Sequence, residues 1–278
     1  MRSLKTWLLM SLVSSGAQVA TAQLQLAPNS QQEYVFCGAT KTISVAFHNP
    51  DNQPFDNEVH TRIFQTSSAT VALLSENPWK RLQVPANETV LASAALDFPA
   101  VKAETKFVVQ WLASTNFIGK TEVLVYPTNL LAELKPLLDG ETLGVLDPND
   151  ELKPLLRQNG VAYADLGQAT LEDFSGRLAI LGPFRSRAQL PEDVVKRSKA
   201  MAKNGVAIVW LQPPPGPRDP LRPSYYSVSV GTNAIVVVQS GIVASLVENP
   251  LSQQRLLQLC RQVLHPEPTA LPESNNQP

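Results

Sequence analysis

VLVYPTNLLAELKPLL, residues 123–138, is the stretch at which the pattern of apolar residues changes. Up to Tyr126 the chain is built from short runs rich in β-branched and aromatic residues, which is typical of strands. From Asn129 to Leu138 leucines recur at helical spacing, which predicts a helix with one apolar side. Pro127 therefore marks the predicted boundary between a β part and an α/β part.

The part before Pro127 is predicted to be an antiparallel β-sandwich. Apolar and polar residues alternate in Thr42–Phe47, Val59–Gln65 and Lys106–Trp111, so each run presents one apolar face. Turn residues such as Asn49-Pro50-Asp51-Asn52 separate the runs, and no helical pattern interrupts them. Short strands at regular spacing with such turns favour two packed sheets.

The part after Pro127 alternates apolar runs with helical patterns. This order predicts a parallel sheet covered on both faces, and right-handed crossovers then predict a flavodoxin-like, doubly wound α/β fold. The amphipathic segment Pro191–Lys203 and the final segment Leu251–Leu264 are predicted helices. The predicted strands are Thr142–Leu146, Val161–Leu166, Leu178–Leu181, Val206–Leu211 and Ala234–Gln239.

The N-terminus has the three regions of a secretory signal peptide. Arg2 and Lys5 are basic, an apolar run follows from Trp7, and Ala20-Thr21-Ala22 fits a cleavage site. The alternative is a buried N-terminal helix. The predicted division is a signal peptide at 1–22, a β-sandwich domain at 23–127, an α/β domain at 128–265 and a disordered tail at 266–278. Export to a periplasm or to the exterior is the expected location.

Composition narrows the range of partners. The whole chain has a net charge of −1, and without Arg2 and Lys5 it would be about −3. No basic cluster remains, which argues against nucleic acid as a partner. No apolar run reaches the roughly 20 residues of a membrane span. Cys37 and Cys260 fall in different predicted domains, so two buried free thiols are favoured over a disulfide.

Polar residues follow several predicted strands and form the candidate ligand site. Ligands of open α/β sheets bind at the carboxyl ends of the strands. The candidates there are Asp147, Asn149, Gly182, Phe184 and Gln212. The alternative for Asp147 and Asn149 is capping of the next helix, a common role of Asp and Asn.

A second candidate is Trp79, which follows a turn at Asn77-Pro78 and is predicted to be an exposed platform for a sugar ring. His48 and His60 flank a polar loop, but incidental surface histidines are favoured over a metal site. No metal ligand set is therefore predicted.

Several kinds of catalysis lack their sequence signatures. No Gly-x-Ser-x-Gly or Gly-x-Cys-x-Gly elbow occurs, and there is no phosphate-binding glycine loop, so neither a catalytic triad nor a nucleotide cofactor is predicted. Dispersed carboxylates remain an alternative, with Glu172 and Asp173 or Glu192 and Asp193 as pairs by residue type.

Two family resemblances follow from longer segments. Four segments carry the first resemblance: Val84–Thr89, Leu96–Pro99, Phe107–Trp111 and Val123–Pro127. With these segments, the first half resembles a bacterial immunoglobulin-like sandwich. Four others carry the second resemblance: Leu143–Asp147, Leu178–Pro183, Val206–Gln212 and Ala234–Gln239. With these, the second half resembles class I glutamine-amidotransferase-like domains of secreted bacterial proteins. Amidotransferases of the second family use a catalytic Cys, His and Glu, and no residue of this chain matches those positions. The resemblance therefore implies the fold without the activity. Similar arrangements in polysaccharide-handling proteins imply a carbohydrate-related role.

Three functions are consistent with the sequence. The leading hypothesis is an exported, non-catalytic protein that binds a glycan or a protein partner. The alternatives are a glycoside hydrolase or related hydrolase with dispersed carboxylates, and a structural component of a cell-envelope assembly.

Overall fold

The computed structural model describes residues 24–28, 32–67, 69–167, 174–212, 225–230, 233–239 and 246–265. The predicted signal peptide, the predicted tail and the Glu172–Asp173 pair lie outside these residues.

The first half consists of eight strands in two facing sheets. Strands β1, β3 and β6 form an antiparallel sheet of three, and the five-stranded sheet has the order β2-β8-β7-β4-β5, with β2 parallel to β8 and the other pairs antiparallel. The bounds are Gln25–Leu26 (β1), Gln32–Phe36 (β2), Gly38–His48 (β3), Phe55–Thr66 (β4), Val71–Val84 (β5), Thr89–Phe98 (β6), Thr105–Ala113 (β7) and Asn116–Tyr126 (β8).

The core of this half is aromatic at its centre. Alternation along β7 turns Phe107, Val109 and Trp111 inward, and all three are fully buried. Trp111 meets Phe47 of the facing sheet edge to face at 5.6 Å between ring centroids. Its indole Nε1 donates a hydrogen bond to Thr121 Oγ1 at 3.0 Å, so its buried polar atom is satisfied.

The second half surrounds one six-stranded sheet of order β10-β9-β11-β12-β14-β13. The strands are Leu143–Leu146 (β9), Tyr163–Asp165 (β10), Leu178–Leu181 (β11), Ala207–Gln212 (β12), Tyr225–Val230 (β13) and Asn233–Gln239 (β14). The α-helices are Leu134–Leu138 (α1), Lys153–Gln158 (α2), Val194–Lys203 (α3) and Pro250–Leu264 (α4), with 3-10 helices at Leu130–Glu133 and Arg187–Gln189.

The predicted fold class, an immunoglobulin-like sandwich plus a flavodoxin-like doubly wound parallel sheet, is wrong. The structure is mostly β, with antiparallel and mixed sheets and only a small parallel α/β part. The sheet of the second half is mixed because β13 pairs antiparallel with β14. Only two residues separate these strands, whereas a parallel crossover needs a dozen or more. The helices α1 and α2, of 5 and 6 residues, are also too short to cover a sheet as flavodoxin helices do.

The two halves share a buried core. Phe36 of β2 and Tyr126 of β8 are buried together with Leu131, Leu134 and Leu257 of the second half. At the edge of this contact, Tyr126 Oη donates to Gln254 Oε1 at 3.5 Å. Burial and the nearby Glu104 raise the pKa of the Tyr126 phenol above its usual value, which keeps it a hydrogen-bond donor at neutral pH. The division at 127/128 stays a prediction.

Two further predictions concern the pairing of the cysteines and the presence of a membrane-spanning helix. Cys37 and Cys260 are both buried and both free. Among the described residues, no helix combines the length and the apolar character that crossing a bilayer would require.

We expect Trp111→Ala to lower the free energy of unfolding by about 3–5 kcal/mol, because it opens a cavity at the centre of the sandwich core. The control is Leu91→Ala, since Leu91 is 71% exposed and its loss should change stability by less than about 0.5 kcal/mol. Urea unfolding of both variants measures the difference, and equal losses would contradict this description of the core.

Candidate functional site

Asp147 lies at the carboxyl end of β9 and is only 2% exposed. Its Oδ2 atom accepts hydrogen bonds from the backbone N–H groups of Leu152 at 2.7 Å and Lys153 at 3.0 Å. These groups lie at the start of α2, where backbone donors lack partners within the helix. The carboxylate therefore serves to anchor this helix, although it lies at the sheet edge where ligands usually bind.

Asn149 joins the loop after β9 to the loop after β11. Its Nδ2 donates to the carbonyl of Pro183 at 2.9 Å, and its Oδ1 accepts from Gln189 Nε2 at 2.7 Å. Gln189 Oε1 in turn accepts from the backbone N–H of Arg185 at 2.7 Å. The two side-chain amides thus clamp one loop to the other.

Gly182 and Phe184 belong to the clamped loop. Gly182 has φ +102° and precedes a cis proline, and a Cβ on it would lie 2.4 Å from the carbonyl oxygen of Leu211, so no other residue fits there. Phe184 is buried against Leu181 and Trp210. Gln212 ends β12 next to Gln239 of β14. The structure thus brings the candidates to one sheet edge, but it uses Asp147, Asn149 and Phe184 for internal contacts.

Beside Asp147 lies a cluster of one lysine and two aspartates that the sequence pattern did not predict. Lys153 is mostly buried, and its Nζ lies 2.8 Å from Asp165 Oδ2 and 3.4 Å from Asp150 Oδ1. Burial alone would lower the pKa of Lys153, but the two carboxylates outweigh it and raise the pKa above its usual value. The hydrogen bond from Lys153 holds the pKa of Asp165 below its usual range. The eleven residues between Lys153 and Asp165 follow no motif, so only the pairing of β10 with β9 reveals this contact.

Trp79 is not an exposed platform. The ring is half-buried and meets Trp111 at 5.0 Å and Phe47 at 5.7 Å between centroids. Lys80 Nζ lies 4.6 Å from its centroid, in cation–π geometry. The ring is therefore part of the aromatic core on one side, and it also lines a cleft on the surface.

The histidines and cysteines do not form a site either. His48 Nδ1 is 3.1 Å from Thr89 Oγ1. Asp56, which lies between the two histidines in the sequence, pairs with Arg81. Burial raises the pKa of the Cys260 thiol to about 12, which makes it a poor nucleophile. Within the described part of the chain, no three His, Cys, Asp or Glu side chains gather as metal ligands would.

A cleft of 530 Å³ opens between β5 and β6, where the two sheets of the first half separate. We call it the seam cleft. Its floor is the inner face of β4, where Thr61 and Ile63 are buried. The residues that line it are Thr61, Ile63, Leu74, Ser75, Asn77, Pro78, Trp79, Ala95, Leu96, Asp97 and Pro99.

A larger cleft of 640 Å³ lies at the opposite edge of the three-stranded sheet. Leu26 of β1 packs so closely on Gly119 of β8 that a Cβ there would lie 2.8 Å from the leucine. An ion pair between Lys120 and Glu122, at 3.1 Å, forms part of the wall. Clefts therefore lie on both sides of the three-stranded sheet, and Leu26 narrows the one on the β1 side.

Comparisons with known proteins leave the family open. No protein-family model matches the sequence, and no curated protein gives a significant match. An alkylpurine DNA glycosylase of Pseudomonas fluorescens shares 13% identity over 38% of this chain and 31% of its own, with a TM-score of 0.29. The sporulation control protein Spo0M of Bacillus subtilis shares 9% over 41% of this chain and 55% of its own, also at 0.29. A cycloisomaltooligosaccharide glucanotransferase of a Paenibacillus species shares 10% over 75% of this chain and 32% of its own, at 0.30.

In each case this chain spans less than two thirds of the other protein. Likenesses with TM-scores this low define neither a fold family nor an activity for the chain. Both predicted family resemblances stay untested.

Replacing Asp147 tests its structural role. Asp147→Ala should cost about 2 kcal/mol of stability, because it leaves two backbone donors of α2 without an acceptor. Asp147→Asn keeps one oxygen acceptor and should cost about half as much. The matched control is Glu141→Ala, an exposed acid outside any helix. Thermal or urea unfolding measures all three, and an Asp147→Ala variant as stable as the control would contradict the anchoring role.

The Lys153–Asp165 pair predicts a pH dependence. Because the folded pKa of Asp165 is lowered, its contribution to stability is present above the unfolded pKa of about 3.9 and is lost as the pH falls through the lower folded value. Asp165→Asn should therefore lower stability at pH 7 and make it fall less steeply below about pH 4. Urea unfolding from pH 7 to pH 2 is the measurement. Parallel curves for the variant and the wild type would contradict the assignment.

Proposed function

We propose that this chain is an exported, non-catalytic binding protein and that its partner binds in the seam cleft. The observation that supports this best is the cleft itself. It exposes two sheet edges and a partly apolar wall and reaches down to buried residues of β4. Concave sites that combine apolar surface with a few polar groups are the usual ligand sites of proteins.

In the α/β half, the contacts of Asp147 and Asn149 support a structural role for these predicted ligand-binding residues. Asp147 holds the start of α2, and Asn149 holds the loop of Gly182 through Pro183 and Gln189. A side chain that already fills its hydrogen-bonding capacity within the fold is poorly placed to bind and release a substrate. The proposal therefore places recognition in the first half.

The hydrolase alternative has less support. A glycosidase needs two carboxyl groups that flank the scissile bond, about 5–9.5 Å apart. Among the described residues that line the seam cleft, Asp97 is the single carboxylate, and Thr40 Oγ1 donates a hydrogen bond to it. One carboxylate can recognise a ligand, but it does not supply the acid and base of a hydrolysis.

The proposal predicts that filling the cleft abolishes binding. Ser75 lies opposite Ile63 on the cleft wall, so Ser75→Trp should occupy the space that a ligand needs. The probes are a random peptide library and a glycan array, each tested against the wild-type chain and the variant. At least one ligand should bind the wild type and lose affinity about tenfold or more on the variant.

The matched control is Val247→Trp, which adds the same ring at an exposed position in the second half, outside the cleft and away from β6, and should leave binding unchanged. Unfolding curves establish that both variants remain folded. Binders that tolerate Ser75→Trp, or no binder in either collection, would contradict the proposal.

A further inference from the structure

We propose that the occupant of the seam cleft is an extended peptide segment of a partner protein, which adds to β6 as a fourth strand. This inference rests on the proposed function, and it names the class of partner. It follows from the widths of the two sheets, from the residues along their edges and from the side chains around the cleft.

The two sheets differ in width by two strands. Three strands face five, and neighbouring strands are about 4.8 Å apart, so the smaller sheet is about 10 Å too narrow to cover the larger one. Within the described part of the chain, β6 ends the three-stranded sheet and β5 ends the five-stranded one, on the same side of the sandwich. A strand added beside β6 would lie over the part of β5 that lines the cleft, from Leu74 to Trp79.

From Glu76 onward, the edge of β5 carries the features that prevent pairing with another strand. Charged side chains and proline protect sheet edges. Glu76 pairs with Arg62, Arg81 pairs with Asp56, and Pro78 removes a backbone donor from the middle of the strand. The last nine residues of β5 are therefore a poor template for an incoming strand.

The middle of β6 lacks these features, although Asp97 and Pro99 follow it. Its sequence from residue 92 to 96 is Ala-Ser-Ala-Ala-Leu, without charge or proline. Small side chains allow a second backbone to approach closely, and an unpaired strand edge offers a row of N–H and C=O groups. Addition of a strand to such an edge is a recurring mode of peptide recognition. A peptide satisfies those groups, whereas a sugar does not match their repeat.

The side chains around β6 define the peptide. Leu96 points into the sandwich, where Ile63 and Leu74 line the cleft, so the peptide residue beside it should be apolar. Asp97 points outward, so the peptide residue beside it should be Lys or Arg. The cleft is lined by Ala95, Leu96 and Asp97 of β6 and by Pro99 just after it, a span that matches about five extended residues at 3.3 Å each. The predicted ligand is thus a short strand of alternating apolar and polar residues with one basic position.

A selection experiment tests this assignment. A random peptide library is selected on the wild-type chain, and binders that Ser75→Trp abolishes are sequenced. We expect an alternating apolar pattern with Lys or Arg at one outward position. The same selection on Asp97→Lys should enrich Asp or Glu at that position, and each selected peptide should prefer its own protein by about threefold or more.

Backbone methylation tests the added strand directly. In a selected peptide, N-methylation of alternate residues should weaken binding about tenfold in one frame and much less in the other, since only every second N–H faces β6. Equal effects in both frames, or an unchanged outward position on Asp97→Lys, would overturn the inference. Failure to select any peptide that Ser75→Trp blocks would also overturn it. If glycans bound in the same cleft and were lost on Ser75→Trp, the proposed function would stand and the peptide would be excluded.

Discussion

The strand pair β2–β8 supplies residues to two cores, and the arrangement of both halves depends on it. Because side chains alternate along a strand, Val123 and Val125 face the sandwich interior, whereas Leu124 and Tyr126 face the second half. Val35 and Phe36 of β2 divide in the same way. This end of the five-stranded sheet therefore packs against a core on both faces.

The opposite end of the same sheet is the least constrained. β5 has one neighbouring strand in the sheet, and the narrow three-stranded sheet leaves its inner face uncovered at the seam cleft. Its pairing with β4 shifts register after Val59 and again after Ile63, which bends the strand locally. The first shift places Trp79 in the aromatic core beside Trp111, while Ser75 and Asn77 line the cleft. The five-stranded sheet is thus packed on both faces at β2–β8 and open at β5, where it faces the proposed binding edge of β6 across the cleft.

Local patterns predicted the elements better than their assembly. The alternation in Lys106–Trp111 corresponds to β7, because a strand buried on one face has apolar residues at every second position. The apolar run Val206–Leu211 corresponds to most of β12, because a strand buried on both faces is apolar throughout. The β13–β14 hairpin was missed because the serines among Tyr225–Val230 weaken the apolar run, and this hairpin decides that the sheet is mixed. Trp79 was predicted to be exposed, whereas a β-bulge in β5 turns its ring toward the aromatic core, and no sequence pattern indicates that bulge. The Lys153–Asp165 contact depends on strand pairing, which no local pattern contains.

The proposed binding site is not the strand-end site that the sequence predicted, because a local pattern does not show how polar groups are paired in the fold. Residue types at strand ends indicate where polar groups gather, but not whether those groups have hydrogen-bonding capacity to spare. Asp147 accepts bonds from two helix donors, and Asn149 and Gln189 donate to and accept from each other, so their polar atoms complete the fold. An unpaired strand edge is the reverse case, since its donors and acceptors face outward and its side chains are chemically plain. Sequence analysis directed at reactive side chains therefore favours Asp147 over Ala92–Leu96, whereas an account of hydrogen-bonding capacity favours the edge of β6.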